Sequence, residues 1–133
     1  MILKVYTDGG SKGNPGPSSI GGVGYLENKR IFEFKKSIGV ATNNDAEYRA
    51  LIEALEKVRS YELGVMRVTQ IQFYSDSRLM VNQVKGLFKV KNGKIKEYIL
   101  KIRGLEQEIN LPITYHLIPR EQNVEADRLV NAV

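Results

Sequence analysis

Residues 2–17, ILKVYTDGGSKGNPGP, are the part of this chain that indicates its fold most directly. Side chains over residues 2–8 alternate, with Leu3, Val5 and Thr7 on one face, which predicts a β-strand that ends at Asp8. Residues 9–17 are rich in glycine and proline and predict a loop. An aspartate at the end of a strand either begins an ordinary turn or lies at the carboxyl edge of an α/β sheet, where ligands bind.

Outward from this strand, the hydrophobic patterning predicts eight further elements. They are strands at 20–26 and 31–38, a helix at 46–60 capped by Asn44 or Asp45, a strand at 69–75, helices at 78–84 and 95–108, a strand at 113–118, and a helix from 124 onward capped by Asn123. The glycines at 21, 22 and 24 require something to pack closely on the backbone of their strand. The order β-β-β-α-β-α-α-β-α predicts one α/β domain over residues 1–133, with a mixed sheet covered by helices.

The composition and charge of the chain limit the classes of protein to which it can belong. The net charge is +5, and residues 78–103 carry eight lysines or arginines against one acid, Glu97, so the positive charge is concentrated as in a nucleic-acid-binding surface. The absence of cysteine excludes disulfides and thiolate metal sites. The start of the chain is unlike a signal peptide, and no apolar run approaches the roughly 20 residues of a membrane span. We therefore expect a cytoplasmic protein with no membrane partner.

Four carboxylates stand out at the boundaries of the predicted elements. Asp8 and Asp76 end two similar segments, VYTD at 5–8 and FYSD at 73–76, and would emerge side by side from parallel neighbouring strands. Glu47 extends the apolar face of its helix, where it is either metal-bound or offsets the helix dipole. Asp127 lies in a first helical turn, where the dipole alone favours an acid. If the four converge they repel one another unless a cation lies between them, and Mg²⁺ prefers such oxygen ligands.

Five short strings occur in order along the chain: YTDGGS at 6–11, GNPGP at 13–17, TNNDAE at 42–47, SDS at 75–77 and NVEAD at 123–127. Together they resemble a type 1 ribonuclease H over essentially the whole chain. The resemblance implies a ribonuclease H-like fold, with a five-stranded mixed sheet of order 3-2-1-4-5, an antiparallel second strand and flanking helices. It also implies a monomeric, metal-dependent endonuclease that cuts the RNA strand of RNA–DNA hybrids to 5′-phosphate and 3′-hydroxyl products.

In that family the four acids bind two Mg²⁺ ions when substrate is present, and Mn²⁺ can substitute. The matching catalytic and metal-binding positions here are Asp8, Glu47, Asp76 and Asp127. We expect Asp8 to bridge both ions, Glu47 and Asp76 to complete the ion beside the leaving 3′-oxygen, and Asp127 to help hold the ion that activates water.

The resemblance also implies a set of substrate contacts. The residues concerned are Gly9, Gly10 and Ser11, whose backbone would lie against the RNA; Asn14, Asn43, Asn44 and Asn82, which would contact the hybrid; and Thr42, which with Asn43 would grip a DNA phosphate. Each asparagine is equally an ordinary turn or cap. In some relatives a basic helical protrusion aids binding at the place that residues 89–94 occupy here, and in this chain it is absent or shortened. We expect Lys89, Lys91 and Lys94 in this segment to hold DNA-strand phosphates, the alternative being a solvated basic face.

The chain departs from many bacterial relatives in the loop before its last helix. That loop, residues 119–122, has no histidine to aid proton transfer or product release, so Arg120 or Glu121 would substitute, and His116 is expected to be structural. Only six residues follow Asp127, so the last helix is short. Rival functions are an enzyme that also cuts duplex RNA or RNA–DNA junctions, a non-catalytic hybrid-binding module, and an accessory domain of a polymerase.

Overall fold

The computed structural model describes all 133 residues. The strands are β1 (Ile2–Ser11), β2 (Gly16–Leu26), β3 (Lys29–Ala41), β4 (Gln70–Ser75) and β5 (Ile113–Leu117). The helices are α1 (Asn43–Arg59), α2 (Arg78–Val84), α3 (Gly93–Ile109) and α4 (Val124–Asn131), with a short 3₁₀ turn at Arg120–Gln122. The predicted order of elements is confirmed. None of the four helices is both long and apolar enough to cross a membrane.

The five strands form one mixed sheet in the order β3-β2-β1-β4-β5, as the family resemblance implied. β2 runs antiparallel to both β1 and β3, whereas β4 runs parallel to both β1 and β5. In the β1–β4 pair Tyr6 lies opposite Tyr74, and the two rings stack with their centroids 4.8 Å apart. Asp8 lies two residues after Tyr6, and Asp76 lies two residues after Tyr74. This register therefore brings both aspartates to the same edge of the sheet.

The predicted loop over residues 9–17 is wrong at both ends. β1 continues to Ser11 and β2 begins at Gly16, so only residues 12–15 connect them. The reason is non-local pairing: Gly9 lies opposite Ile20 and Ser11 opposite Ser18 across the β1–β2 hairpin. Of the four glycines that suggested a loop, only Gly13 lies in the connection, and Gly9 and Gly10 reach the site as strand residues.

Two predicted helix caps also differ. α1 begins three residues earlier than expected, and its N-cap is Thr42, whose hydroxyl accepts a hydrogen bond from the Asp45 backbone N–H at 3.1 Å. Asn44 and Asp45 are thus helical residues. Asn123 does occupy the N-cap position of α4, but its side chain makes no capping bond and instead donates to the Thr7 carbonyl at 2.9 Å.

Helices pack on both faces of the sheet. α1 packs on one face with α3, and the main core there includes Leu3, Val5, Leu51, Leu55 and Ile102. α4 packs on the opposite face over β1 and β2. A Cβ at Gly21 would lie 2.9 Å from the Ala126 carbonyl oxygen, so this glycine permits the close approach of α4 that the glycine-rich strand predicted. The helix that carries Asp127 is thereby held against the sheet.

Candidate active site

Three of the four predicted acids gather where β1, β4 and α1 meet. Asp8 lies in β1, Asp76 follows the end of β4, and Glu47 lies in the first part of α1. One carboxylate oxygen from each residue lies within 4.8 Å of the others. Asp8 and Glu47 are only 8% and 7% exposed, so two of the three charges are largely removed from water. Buried carboxylates in such a group need a cation or protons between them.

Gly9 sets the distance between β1 and α1. A Cβ at this position would overlap the carbonyl group of Ala46, so no other residue allows the strand and helix to lie this close. The Gly9 N–H donates to Glu47 Oε1 and also contacts Asp8 Oδ1 at 3.0 Å. One backbone donor therefore orients two of the three carboxylates. The family resemblance implied only a substrate contact for Gly9. No local sequence pattern indicates that Gly9 also sets the distance between β1 and α1.

The electrostatics of the cluster favour a bound cation. Burial, followed by the nearby charge of Asp76, raises the pKa of Asp8 to about 7. Burial and the charges of Asp8 and Asp76 raise the pKa of Glu47 well above its ordinary value. Burial also raises the pKa of Asp76, although the Asn123 amide and Arg120 oppose this. A divalent cation with a preference for oxygen would relieve the repulsion, so these residues fit such an ion.

Asp127 lines the same cavity but lies outside the group of three. Its Oδ1 is 3.8 Å from Arg120 Nη2, and the two side chains are 35% and 81% exposed. Arg120 also lines the cavity, whereas the exposed Glu121 does not.

His116 stacks on Tyr74 with a centroid separation of 5.0 Å, and its Nε2 lies 2.8 Å from Thr114 Oγ1, away from the acids. Of the residues considered for the missing histidine, the structure brings only Arg120 to the site.

Asn123 is a residue of the site that the sequence did not single out. It is fully buried, its Nδ2 donates to the Thr7 carbonyl, and its Oδ1 has no hydrogen-bond partner. Its amide beside Asp76 also opposes the rise in the pKa of that carboxyl. Asn123 therefore ties the start of α4 to β1 next to the carboxylates. An asparagine before a helix is a common cap, so its sequence context did not distinguish this role.

The acidic cavity has a volume of about 670 Å³ and includes Gly9, Gly10, Ser11, Asn43 and Asn44 in its lining. Asn14 does not line this cavity, but it is joined to it by hydrogen bonds. The Ser11 N–H donates to Asn43 Oδ1 at 2.8 Å, and the Asn43 N–H donates to Asn14 Oδ1 at 2.9 Å. Asn82 is not brought to this cavity, since its amide donates to the Arg78 carbonyl within α2 at 2.8 Å.

A second cavity, of about 420 Å³, adjoins the first and shares Asn44 and Leu79 with it. Its lining contains all three predicted phosphate-binding lysines and also Thr42; these are Lys89, Lys91, Lys94 and Thr42. The structure thus places the lysines of the α2–α3 loop and the start of α3 beside the N-terminus of α1. We call this second cavity the basic groove.

Comparison with known proteins agrees with this arrangement. The family model described as reverse transcriptase-like matches residues 6–133. LC11-RNase H1, isolated from compost and solved in complex with an RNA/DNA hybrid, superposes with a TM-score of 0.92 at 39% identity, over 98% of this chain and 95% of that one.

Two curated relatives are longer than this chain. The bifunctional protein Rv2228c of Mycobacterium tuberculosis is 38% identical over 133 residues, which are 98% of this chain and 35% of that protein. Ribonuclease HI of Halobacterium salinarum is 35% identical over 130 residues, which are 97% of this chain and 62% of that protein. The chain thus spans about a third of the length of the first of them.

Because the likeness to LC11-RNase H1 covers nearly the full length of both chains at 39% identity, this chain belongs to the type 1 ribonuclease H family.

Proposed function

We propose that this protein is a metal-dependent endonuclease that hydrolyses the RNA strand of RNA–DNA hybrids to 5′-phosphate and 3′-hydroxyl products. The observation that carries the proposal is the meeting of the Asp8, Glu47 and Asp76 carboxylates within 4.8 Å at the edge of a polar cavity. The full-length similarity to LC11-RNase H1, which was solved with an RNA/DNA hybrid, supports the choice of substrate.

Asp8, Glu47 and Asp76 would hold a divalent cation, and Asp127 would contribute to a second when substrate is bound. Mg²⁺ is the ion that we propose, with Mn²⁺ able to replace it, because all four ligands are carboxylates. When bound, such ions supply Lewis acidity and a water of lowered pKa. The chain's own contribution is the orientation of the ligands by the Gly9 N–H and by the packing of α4 on β2.

We assign the RNA strand to the acidic cavity and the DNA strand to the basic groove. The backbone of Gly9, Gly10 and Ser11 and the amides of Asn43 and Asn44 line the acidic cavity and can meet ribose 2′-hydroxyls, the groups that distinguish RNA from DNA. Asn14 supports this surface through its hydrogen bond to Asn43. Asn82, whose amide is bonded within α2, has the least support among the predicted contacts.

Arg120 is our candidate for the role of the absent histidine. An arginine keeps its proton at any working pH, so proton transfer is a poor task for it. Its guanidinium lies 3.8 Å from Asp127, where it can neutralise this carboxylate when product and cation leave. We therefore propose product release as its function. Glu121 lacks a position in the cavity that would support either role. A monomeric state and a cytoplasmic location remain predictions.

A cleavage assay tests the proposed function. Labelled RNA–DNA hybrid, duplex RNA and duplex DNA are each incubated with Mg²⁺, with Mn²⁺ and with a chelator. We expect the RNA strand of the hybrid to be cut with either ion and not with the chelator. Activity that survives chelation, or that persists in Asp76→Asn, would refute the metal-dependent mechanism. Cutting of duplex RNA would favour the broader rival specificity, and hybrid binding without cleavage would favour the binding module.

A further inference from the structure

Asp45 lines the basic groove, accepts hydrogen bonds from two side chains and forms an ion pair with a third. Its Oδ2 accepts from the Thr42 hydroxyl at 3.0 Å, and its Oδ1 accepts from the Tyr98 hydroxyl at 3.2 Å. The Lys94 ammonium lies 3.4 Å from the same Oδ1. Two hydroxyls and an ammonium group are also the donors that would bind a phosphate oxygen. Of the three donors, Thr42 and Lys94 line the groove, and we call these two the phosphate subsite.

The Asp45 carboxylate also takes part in the start of α1, because it accepts from the Thr42 hydroxyl and from the Thr42 backbone N–H in the reciprocal arrangement of a capping box. The capping bond itself runs from the Asp45 backbone N–H to Thr42 Oγ1 at 3.1 Å and does not involve the carboxylate. Because the Thr42 hydroxyl has a single proton and donates it to Asp45, this hydroxyl cannot donate to a DNA phosphate at the same time. The contact that the family resemblance implied for Thr42 is therefore already taken by a carboxylate of the chain itself.

Asp45 also occupies one of the three lysines of the groove. Lys89 and Lys91 line the groove without an acidic partner, whereas Lys94 is paired with Asp45. Both residues line the groove, with the Asp45 side chain 14% exposed and that of Lys94 61% exposed.

We propose that Asp45 is an internal competitor of the DNA strand, occupying the phosphate subsite and lowering the affinity of the enzyme for its hybrid substrate. The inference rests on the proposed function. With the carboxylate in place, a DNA phosphate stays outside the subsite and forgoes the Thr42 hydroxyl and the Lys94 ammonium. The protein therefore binds the hybrid more weakly than its count of lysines suggests, which favours release of the cut product.

The test is a salt series of hybrid binding, measured by fluorescence anisotropy without divalent cation so that no cleavage occurs. Asp45→Asn keeps the shape of the side chain and removes its charge. We expect the Kd to fall about two- to fivefold, the scale of one exposed ion pair made available to a phosphate. The slope of log K against log salt should steepen by about 0.7–0.9, the value for one added phosphate contact. Adding Lys94→Gln to this variant should abolish both gains.

A matched control separates this local effect from net charge. Glu53→Gln removes one acid from the same helix, where it pairs with Lys36 at 2.9 Å outside both cavities, and should leave the salt slope unchanged. Unchanged or weakened binding in a folded Asp45→Asn protein, or a gain that survives Lys94→Gln, would overturn the proposal.

A second comparison needs no change at Asp45. If the subsite is occupied, Lys94→Gln in the otherwise native chain should leave the salt slope nearly unaltered, whereas Lys89→Gln should reduce it by about 0.7–0.9. Equal reductions would show that Lys94 is free to contact DNA and would reject competition by Asp45. Failure of the native protein to bind or cut any hybrid would instead reject the proposed function, so the two failures are distinguishable.

Discussion

Gly9 is the residue on which the geometry of the carboxylate cluster most directly depends. It has no Cβ to overlap the Ala46 carbonyl, and its N–H meets Glu47. Asn123 acts on the other side of β1, where it joins α4 to the Thr7 carbonyl. Neither residue carries a charge, and both were expected in other roles. Two neutral residues thus hold the acids in position: one allows β1 and α1 to pack closely, and the other joins α4 to β1.

Gly9→Ala should separate β1 from α1. Because the added methyl overlaps backbone atoms, we expect a loss of about 1–3 kcal/mol in the free energy of unfolding. Displacement of Glu47 should also lower cleavage about tenfold or more, since misplaced catalytic groups are costly. Denaturant unfolding and a hybrid cleavage assay measure the two effects.

Gly10→Ala is the matched control for stability. A Cβ at Gly10 would lie 3.6 Å from Val130 Cγ1, an ordinary contact, so its cost should stay below that of Gly9→Ala. Equal stability of the two variants would contradict the role given to Gly9.

At the scale of elements, the α2–α3 loop and the start of α3 bring three lysines to the basic groove. Replacing Lys89, Lys91 and Lys94 together with glutamine should raise the KM for hybrid and flatten its salt dependence. With Lys94 already paired to Asp45, we expect the slope to fall by about 0.7–0.9 for each of the other two lysines.

The control for the lysine variant changes three exposed lysines that line neither cavity: Lys29, Lys35 and Lys57. This variant loses the same net charge and should keep most of the salt slope. If the two triple variants behave alike, the basic groove has no special role in binding the DNA strand.

The 3₁₀ turn before α4 brings Arg120, but not Glu121, to the acidic cavity. If Arg120 aids product release, Arg120→Gln should lower kcat roughly tenfold under multiple turnover while changing single-turnover cleavage much less. Rapid-quench measurements under both conditions separate these steps. Glu121→Gln should change neither, and an equal loss in both regimes for Arg120→Gln would place Arg120 in the chemical step instead.

At the scale of the whole molecule, the acidic cluster couples folding to pH. Asp8 has a folded-state pKa of about 7, above its ordinary value of 3.8, so the native state holds this proton more tightly than the unfolded chain. Without divalent cation, the free energy of unfolding should therefore fall as the pH rises from about 4 to about 7. Glu47 and Asp76, whose pKa values are also raised, act in the same direction.

Asp8→Asn should remove part of this fall in the free energy of unfolding. In a chelator at pH above 7, we expect its Tm to exceed that of the native chain by several degrees, with a shallower decline between acidic and neutral pH. Mg²⁺ should raise the Tm of the native chain more than that of the variant. Thermal unfolding across a pH series measures both, and a native Tm that rises towards neutral pH in the chelator would contradict the expected coupling.

Local sequence predicted the elements well because period and charge are local properties. The alternation in residues 2–8 and the apolar face that contains Glu47 are visible without any tertiary contact. The similar segments that end at Asp8 and Asp76 also indicated a shared sheet edge. The family strings added the strand order, which the observed β1–β4 register confirms.

How these parts meet depends on contacts between residues that are distant in sequence. The tertiary structure extended β1 to Ser11 by pairing with β2, gave the Thr42 hydroxyl to Asp45, and placed Asp127 beside Arg120 outside the group of three acids. These contacts depend on strand register and on how closely helices approach the sheet, which residues distant in sequence set together. Local sequence therefore specifies which groups are available for chemistry, and packing specifies which of them share a site.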